Sequence, residues 1–199
     1  MILSIANNIS LILSKYYIKK FKSHYLRLFL SIVLLSFITD IVCTLYNKWT
    51  GLSNYWIINI YVVIDAILLV VFFQNILKIR WVVWSCSIGF LLLFSFSYLQ
   101  WGIMEFWGTS LAVKSLVVMF MTILSLYFIF TNEENFFIDQ NPSFWLFIGL
   151  LTYNAGALFT FLLSSDLLML AGTWKLHNVA NILKNILFAI GLWKARAVR

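Results

Sequence analysis

The sequence predicts an all-α integral membrane protein, a bundle of six transmembrane helices. Of its 199 residues, 63% are apolar and 11% are charged, whereas a soluble domain is roughly 25% charged. Six apolar stretches are each long enough to cross a bilayer, and the positive charges gather on one side of them. A water-soluble fold is excluded, because the polar residues are too few to cover its surface.

The six predicted spans follow one another with short connections. A hydrocarbon core about 30 Å thick needs roughly 20 apolar residues as helix, so that every peptide group is hydrogen-bonded within the segment. The stretches that meet this requirement are residues 28–46, 55–77, 81–100, 110–130, 143–163 and 174–193. No proline-, glycine- or charge-rich linker interrupts them, so residues 28–193 are predicted to form a single transmembrane domain.

The tryptophans support these boundaries, because an amphipathic indole favours the membrane–water interface. The nine of them fall near predicted span ends: Trp49, Trp56, Trp81, Trp84, Trp101, Trp107, Trp145, Trp174 and Trp193. Pro142, which follows Asn141, has the pattern of a first-turn proline behind a side-chain cap. This pair predicts the start of the fifth span.

Residues 1–27 are predicted to form a basic amphipathic segment on the cytoplasmic side. Isoleucines recur in it at helical spacing, at Ile2, Ile5, Ile9 and Ile12. The opposite face is polar, which is typical of a helix lying in the membrane interface. A seventh, tilted span is the alternative. At the other end, residues 194–199 form a basic tail.

Lysine and arginine residues lie mainly on one side of the predicted membrane. Ten are found there: Lys15, Lys19, Lys20, Lys22, Arg27, Lys78, Arg80, Lys194, Arg196 and Arg199. The other side has Lys48, Lys175 and Lys114. The positive-inside rule therefore predicts that both termini are cytoplasmic. This bias also accounts for the net charge of +7, so direct nucleic-acid binding is not predicted.

Two cytoplasmic segments are candidates for docking a protein partner. The first is the basic N-terminal segment, with Lys15, Lys19, Lys20 and Lys22. The second is the acidic loop before the fifth span, with Glu133, Glu134 and Asp139. This loop could dock a partner or the basic tails, or it could simply be solvated.

Four polar residues are predicted to lie at membrane depth. Asp40 is in the outer part of the first span, Asp65 near the middle of the second, and Lys184 near the middle of the sixth. Asn154 lies at similar depth in the fifth. Each ionisable group there costs at least about 2.5 kcal/mol on insertion scales, so it is a functional-site candidate.

The sixth span carries a polar stripe, because its polar residues recur at intervals of three, four and seven. The stripe consists of His177, Asn178, Asn181, Lys184 and Asn185. By depth, Lys184 is predicted to pair with Asp65, and Asp40 with His177 or Asn181. Two interpretations stay open: the cluster lines a cavity that opens to the outer side, or it locks the packing of the helices.

Small residues on the fifth span, Gly149, Gly156 and Ala157, predict a close approach of another helix. Cys43 and Cys86 are predicted to lie near opposite membrane faces, so they form neither a disulfide nor a metal site. No cofactor motif is present, and no cofactor is predicted.

Two segments resemble an uncharacterised group of small bacterial polytopic membrane proteins. They are FWLFIGLLTYNAGALFTFLLS, residues 144–164, and WKLHNVANILKNILFAIGLW, residues 174–193. The residues that carry the resemblance are Phe144, Trp145, His177, Asn181, Lys184 and Asn185. The group usually has Thr-Glu and Tyr-x-x-x-Glu in its first two spans, where this chain has the shorter acid in Thr39-Asp40 and Tyr61-x-x-x-Asp65.

Members of that group occur alone or as the membrane parts of sensory proteins. The resemblance therefore implies a signal-sensing or accessory role in a bacterial cytoplasmic (inner) membrane. In size, number of predicted spans and basic cytoplasmic face, the chain is also similar to the small membrane accessory proteins of RNA-targeting (type VI-B) CRISPR systems. These accessory proteins modulate an RNA-guided nuclease.

Three functional classes are compatible with these features. The first is a regulatory or accessory protein that acts through a cytoplasmic partner. The second is a channel or transporter along the intramembrane charges, which requires a homo-oligomer for a wide pore. The third is an intramembrane lipid-processing enzyme, although the chain has none of the common catalytic motifs and its catalytic residues are unknown. The first class is preferred.

Overall fold

The computed structural model describes residues 24–77, 79–131, 138–163 and 171–197, and this part of the chain is helical with no strand. The helices are α1 (His24–Thr50), α2 (Tyr55–Ile76), α3 (Arg80–Trp101), α4 (Gly108–Thr131), α5 (Pro142–Leu163) and α6 (Ala171–Ala197). A short 3₁₀ turn, Ile138–Gln140, precedes α5. The predicted amphipathic segment up to Lys22, with its four docking lysines, lies outside the described residues, as do Glu133 and Glu134.

Five of the described helices are long and apolar enough to cross a membrane, which suggests a membrane protein. The segments are Leu26–Thr50, Tyr55–Ile76, Arg80–Trp101, Gly108–Thr131 and Pro142–Leu162. Residues 174–193 lie in α6 as predicted, but α6 is not among the five, because its polar stripe lowers its mean hydropathy. A bundle of six transmembrane helices therefore stays a prediction.

Several helices are longer than their predicted spans. Helix α1 runs from His24 to Thr50, whereas residues 28–46 were expected to span, and α6 continues to Ala197. Apolar length sets only the part of a helix that hydrocarbon requires. Hydrogen bonding of the backbone continues past that limit, since a helix can extend into the interface and water.

The described residues form two compact units, and the boundary between them falls inside α4. The N-terminal unit ends at Leu111, and the C-terminal unit begins at Ala112. In the N-terminal unit, α1 packs on α2 and α2 packs on α3. The Phe29 and Phe72 rings, both buried, meet with centroids 5.6 Å apart. The Tyr46 and Trp56 rings meet edge to face at the other end of α1.

The loop between α3 and α4 is fixed to α2 by one asparagine. Asn59, which is 1% exposed, donates from Nδ2 to the carbonyl oxygens of Ile103 at 2.9 Å and Glu105 at 2.7 Å. Trp107 Nε1 donates to the carbonyl of Gly102, at the end of α3. A hydrogen bond between the hydroxyls of Ser97 and Ser110 adds a second link across this loop.

The C-terminal unit is built around the α5–α6 hairpin. The predicted start of α5 at Pro142 is confirmed: the helix begins there, and the Ser143 N–H donates to Asn141 Oδ1 at 2.9 Å. Helix α6 runs back antiparallel, so that Leu146 meets Gly191 near the start of α5, whereas Phe161 meets His177 near its end.

Glycines hold the two helices of the hairpin close together, as predicted from the small residues of α5. A Cβ placed on Gly156 would lie 2.5 Å from the Cβ of Ala180, and one placed on Gly149 would lie 2.6 Å from the ring of Phe188. On α6, a Cβ on Gly191 would lie 2.9 Å from Leu146. Such close approach lets dispersion contacts and polar side chains hold two membrane helices together.

Replacement of Gly156 by alanine should therefore destabilise the hairpin. The new methyl group meets the rigid Cβ of Ala180, and overpacking of this kind costs about 1–3 kcal/mol. Gly89→Ala in α3 is the matched control, since its Cβ meets nothing within 4 Å and alanine is the better helix former. Thermal unfolding in detergent, followed by circular dichroism, measures both. Equal midpoints for the two variants would contradict the packing described here.

Candidate functional site in the α5–α6 hairpin

The polar stripe of α6 is turned away from the molecular surface. Lys184 is 8% exposed and Asn185 is 6% exposed, and His177, Asn178 and Asn181 are half-buried. The exposed positions interleaved with the stripe are apolar: Val179, Leu183 and Ile186. Helix α6 therefore presents hydrocarbon side chains outward and keeps its polar groups inside the protein.

Tyr153 of α5 is the centre of the contacts that the stripe makes within the hairpin. The Lys184 ammonium lies 4.1 Å from the centroid of the Tyr153 ring. The His177 ring meets Tyr153 at 5.5 Å and Phe161 at 5.8 Å. A cation over an aromatic face gains about 2 kcal/mol or more when both are out of water. Tyr153 thus helps to hold Lys184 inside the protein.

The amide groups of Asn154 and Asn181 are held differently. Asn154 donates from Nδ2 to the carbonyl of Leu150, one turn earlier in its own helix, at 2.8 Å. The Oδ1 atom of Asn181 is buried and accepts no hydrogen bond from the part of the chain that the structure describes. A buried acceptor in this state costs about 1–3 kcal/mol. Such atoms often mark a place where a further group binds.

Polar contacts also close the base of the hairpin, where α5 begins and α6 ends. The Lys194 ammonium lies 3.6 Å from Asp139 Oδ2, and Trp145 Nε1 donates to the Asp139 carbonyl at 2.6 Å. Asp139, predicted to dock a partner or a tail, thus contacts the first residue of the predicted C-terminal tail. The Asp139 side chain is exposed, so this ion pair contributes at most about 1 kcal/mol to stability.

Asp40 and Asp65, the two acidic residues predicted to lie at membrane depth, are both in the N-terminal unit. Asp65 is 6% exposed in α2, whereas the side chain of Asp40 is exposed on α1. The Thr44 hydroxyl donates to the backbone carbonyl of Asp40. The predicted pairs of Asp65 with Lys184, and of Asp40 with His177 or Asn181, join residues of different units and stay predictions.

Two buried polar residues were missed by the sequence analysis. Lys114, read there as an outer-side charge, is 8% exposed in α4. It lies six residues after Gly108, or about 9 Å along the helix. This distance from the helix start could have indicated that Lys114 is buried. Asn59 was not singled out, because its role depends on carbonyl groups of Ile103 and Glu105, far along the chain.

Comparisons with protein-family models, with curated proteins and with solved structures find no match to this chain. Within the described ranges, no group of three or more His, Cys, Asp or Glu residues is placed to hold a metal ion. The geometry of the α5–α6 hairpin is therefore the basis of the functional proposal.

The contact between Lys184 and Tyr153 should appear as a coupling energy in a double-mutant cycle. The cycle consists of Tyr153→Leu, Lys184→Met and the double variant, and unfolding free energies are measured by denaturant titration in mixed micelles. We expect a coupling of about 1–2 kcal/mol, because each single variant already removes the cation–π contact. Lys175→Met replaces Lys184→Met in the control cycle, since Lys175 is exposed on the same helix. Similar coupling in both cycles would contradict the assignment.

Proposed function

We propose that the chain is a regulatory or accessory protein of a bacterial cytoplasmic membrane that acts through a cytoplasmic protein partner. Its six helices α1–α6 each cross the membrane, and both termini are cytoplasmic. The observation that carries the proposal is the α5–α6 hairpin, which holds a buried polar cluster around Lys184 and a partly exposed ion pair at its base.

The hairpin offers a physical route between these two places. Gly149, Gly156 and Gly191 bring its helices into close contact, and close-packed helices shift as a unit rather than bend independently. A change in the hydration or occupancy of the cluster around Lys184 would therefore move the base, where Asp139 meets Lys194. A cytoplasmic partner bound at this base would respond to that movement.

The distribution of charge supports the proposed orientation. Asp139 and Lys194 lie at the end of the hairpin that carries the basic tail, and Arg80 begins α3. Positive residues are retained on the cytoplasmic side during insertion. The resemblance to bacterial membrane proteins of sensory systems favours the same role, and the similarity to accessory proteins of RNA-targeting CRISPR systems offers one class of partner, an RNA-guided nuclease.

A channel or transporter is the second candidate. It is favoured by the ionisable residues that are buried in the described helices, Asp65, Lys114 and Lys184. Intramembrane charges often mark the path of an ion or a substrate. Transporter sites are commonly built from interrupted helices. Helices α2 and α6, however, run without a break through Asp65 and Lys184. We therefore place this candidate second.

Cysteine labelling in whole cells tests the orientation. Met104 and Gln140 are both exposed, and the proposal places Met104 outside the cell and Gln140 in the cytoplasm. Each is changed to cysteine in a chain whose Cys43 and Cys86 are replaced by alanine. A membrane-impermeant maleimide should label Met104→Cys in intact cells, and Gln140→Cys only after permeabilisation. The reverse pattern would invert the proposed topology.

The partner is tested by crosslinking in native cells, purification in mild detergent and mass spectrometry. We expect a cytoplasmic protein to co-purify in stoichiometric amount. It should be lost when Lys15, Lys19, Lys20 and Lys22 are changed to glutamine, and its recovery should fall several-fold in Asp139→Lys. Lys48→Gln is the control, because this lysine is on the predicted outer side. The charge swap of Asp139→Lys with Lys194→Asp should restore binding if the ion pair itself is needed. Purification of the protein alone would reject this function.

A further inference from the structure

The ion pair at the base of the α5–α6 hairpin is a loose one. The Lys194 ammonium lies 3.6 Å from Asp139 Oδ2, and the two side chains are 25% and 61% exposed. At this distance the groups attract each other without a short hydrogen bond, and exposed pairs of this kind are weak. An ammonium has three N–H donors. A second acceptor that reaches Lys194 can therefore compete with Asp139 for it.

The surroundings place this pair at the depth of the lipid head groups. Asp139 lies three residues before the apolar segment Pro142–Leu162, and its carbonyl accepts from the indole N–H of Trp145 at 2.6 Å. The Trp193 ring is 59% exposed, and the Lys194 ammonium lies 5.9 Å from its centroid. Indoles favour the layer between hydrocarbon and water, which is about 5–7 Å thick on each side of the bilayer. The two indoles therefore hold Asp139 and Lys194 in that layer.

We propose that the base of the hairpin binds the head group of an anionic phospholipid, whose phosphate takes the Lys194 ammonium from Asp139. A phosphate oxygen accepts a charge-assisted hydrogen bond from an ammonium, which is stronger than a hydrogen bond between neutral groups. Basic residues at the surface of an anionic membrane also gain free energy from its negative potential. The same potential repels the Asp139 carboxylate, so an anionic membrane favours the exchange.

The exchange would regulate the binding of the cytoplasmic partner, and this step rests on the proposed function. While Lys194 contacts Asp139, the charge of the carboxylate is partly neutralised. Once a phosphate has taken the ammonium, Asp139 presents its full charge to the cytoplasm, where a basic segment of a partner can bind it. The lipid contact itself needs only that α5 and α6 cross the membrane.

The test measures lipid binding to the full-length protein in an uncharged detergent by native mass spectrometry. Phosphatidylglycerol is the probe, and we expect it to bind about fivefold more tightly than phosphatidylcholine, whose phosphate is offset by a choline cation. Glycerol 3-phosphate is the soluble control. It should not displace the lipid at equal concentration, because it lacks the acyl chains that bring the phosphate to this depth. Equal affinity for the two lipids, or displacement by glycerol 3-phosphate, would overturn the proposal.

Variants separate the competition from a general effect of charge. Lys194→Gln should weaken phosphatidylglycerol binding about fivefold, while Lys194→Arg should keep it. Asp139→Asn removes the competing carboxylate and should tighten binding about two- to fivefold, the range expected for an exposed ion pair. In the Lys194→Gln background, Asp139→Asn should have no further effect. Lys175→Gln is the matched control, since Lys175 is exposed at the other end of α6.

The variants contradict the proposal in any of three cases. Lys175→Gln could weaken binding as much as Lys194→Gln, which would place the lipid elsewhere. Asp139→Asn could leave the Kd unchanged, or tighten binding equally with and without Lys194, which would mean that Asp139 does not compete for the ammonium. No partner protein is present in these measurements. The lipid contact can therefore fail while the proposed function stands, and the reverse also holds.

Discussion

Every polar group inside a bilayer must find its hydrogen bond within the protein, and the rest of this structure depends on that constraint. Backbone groups meet it by forming helices throughout the described residues. Hydroxyl side chains meet it by bonding to the carbonyl one turn earlier, as Thr39 does to Leu35, Thr122 to Val118 and Ser125 to Met121. Asn59 bonds outside its own helix, because its amide donates to the loop after α3. The Oδ1 atom of Asn181 is buried and accepts no hydrogen bond from the described residues.

The close approach of α5 and α6 has two effects that depend on each other. Glycine removes side-chain bulk at Gly156 and Gly191, which brings the Tyr153 ring within 4.1 Å of the Lys184 ammonium. The ring in turn compensates part of the cost of burying that cation. If the two helices lay further apart, the close packing at the glycines and the contact between Lys184 and Tyr153 would be lost together. The small residues of α5 and the lysine of α6 therefore depend on each other.

The sequence predicted the helices well, because the length of an apolar run and the Asn141-Pro142 cap are local properties. The position of the α6 stripe, turned inward from exposed Val179 and Leu183, also follows from helical spacing. The burial of Lys114 and the clamp made by Asn59 were missed. The sequence around a lysine near a helix start is the same whether the lysine marks the membrane topology or is a buried charge. The partners of Asn59 lie more than forty residues away along the chain. Local patterns contain neither fact.

The Asn59 clamp has a consequence for biogenesis. Helix α2 is synthesised before the carbonyls that accept from Asn59, since Ile103 and Glu105 follow the whole of α3. Until that loop exists, the Nδ2 group of Asn59 lacks both of these acceptors, and burying it without a partner costs free energy. The first two helices without α3 and its following loop are thus an incomplete folding unit.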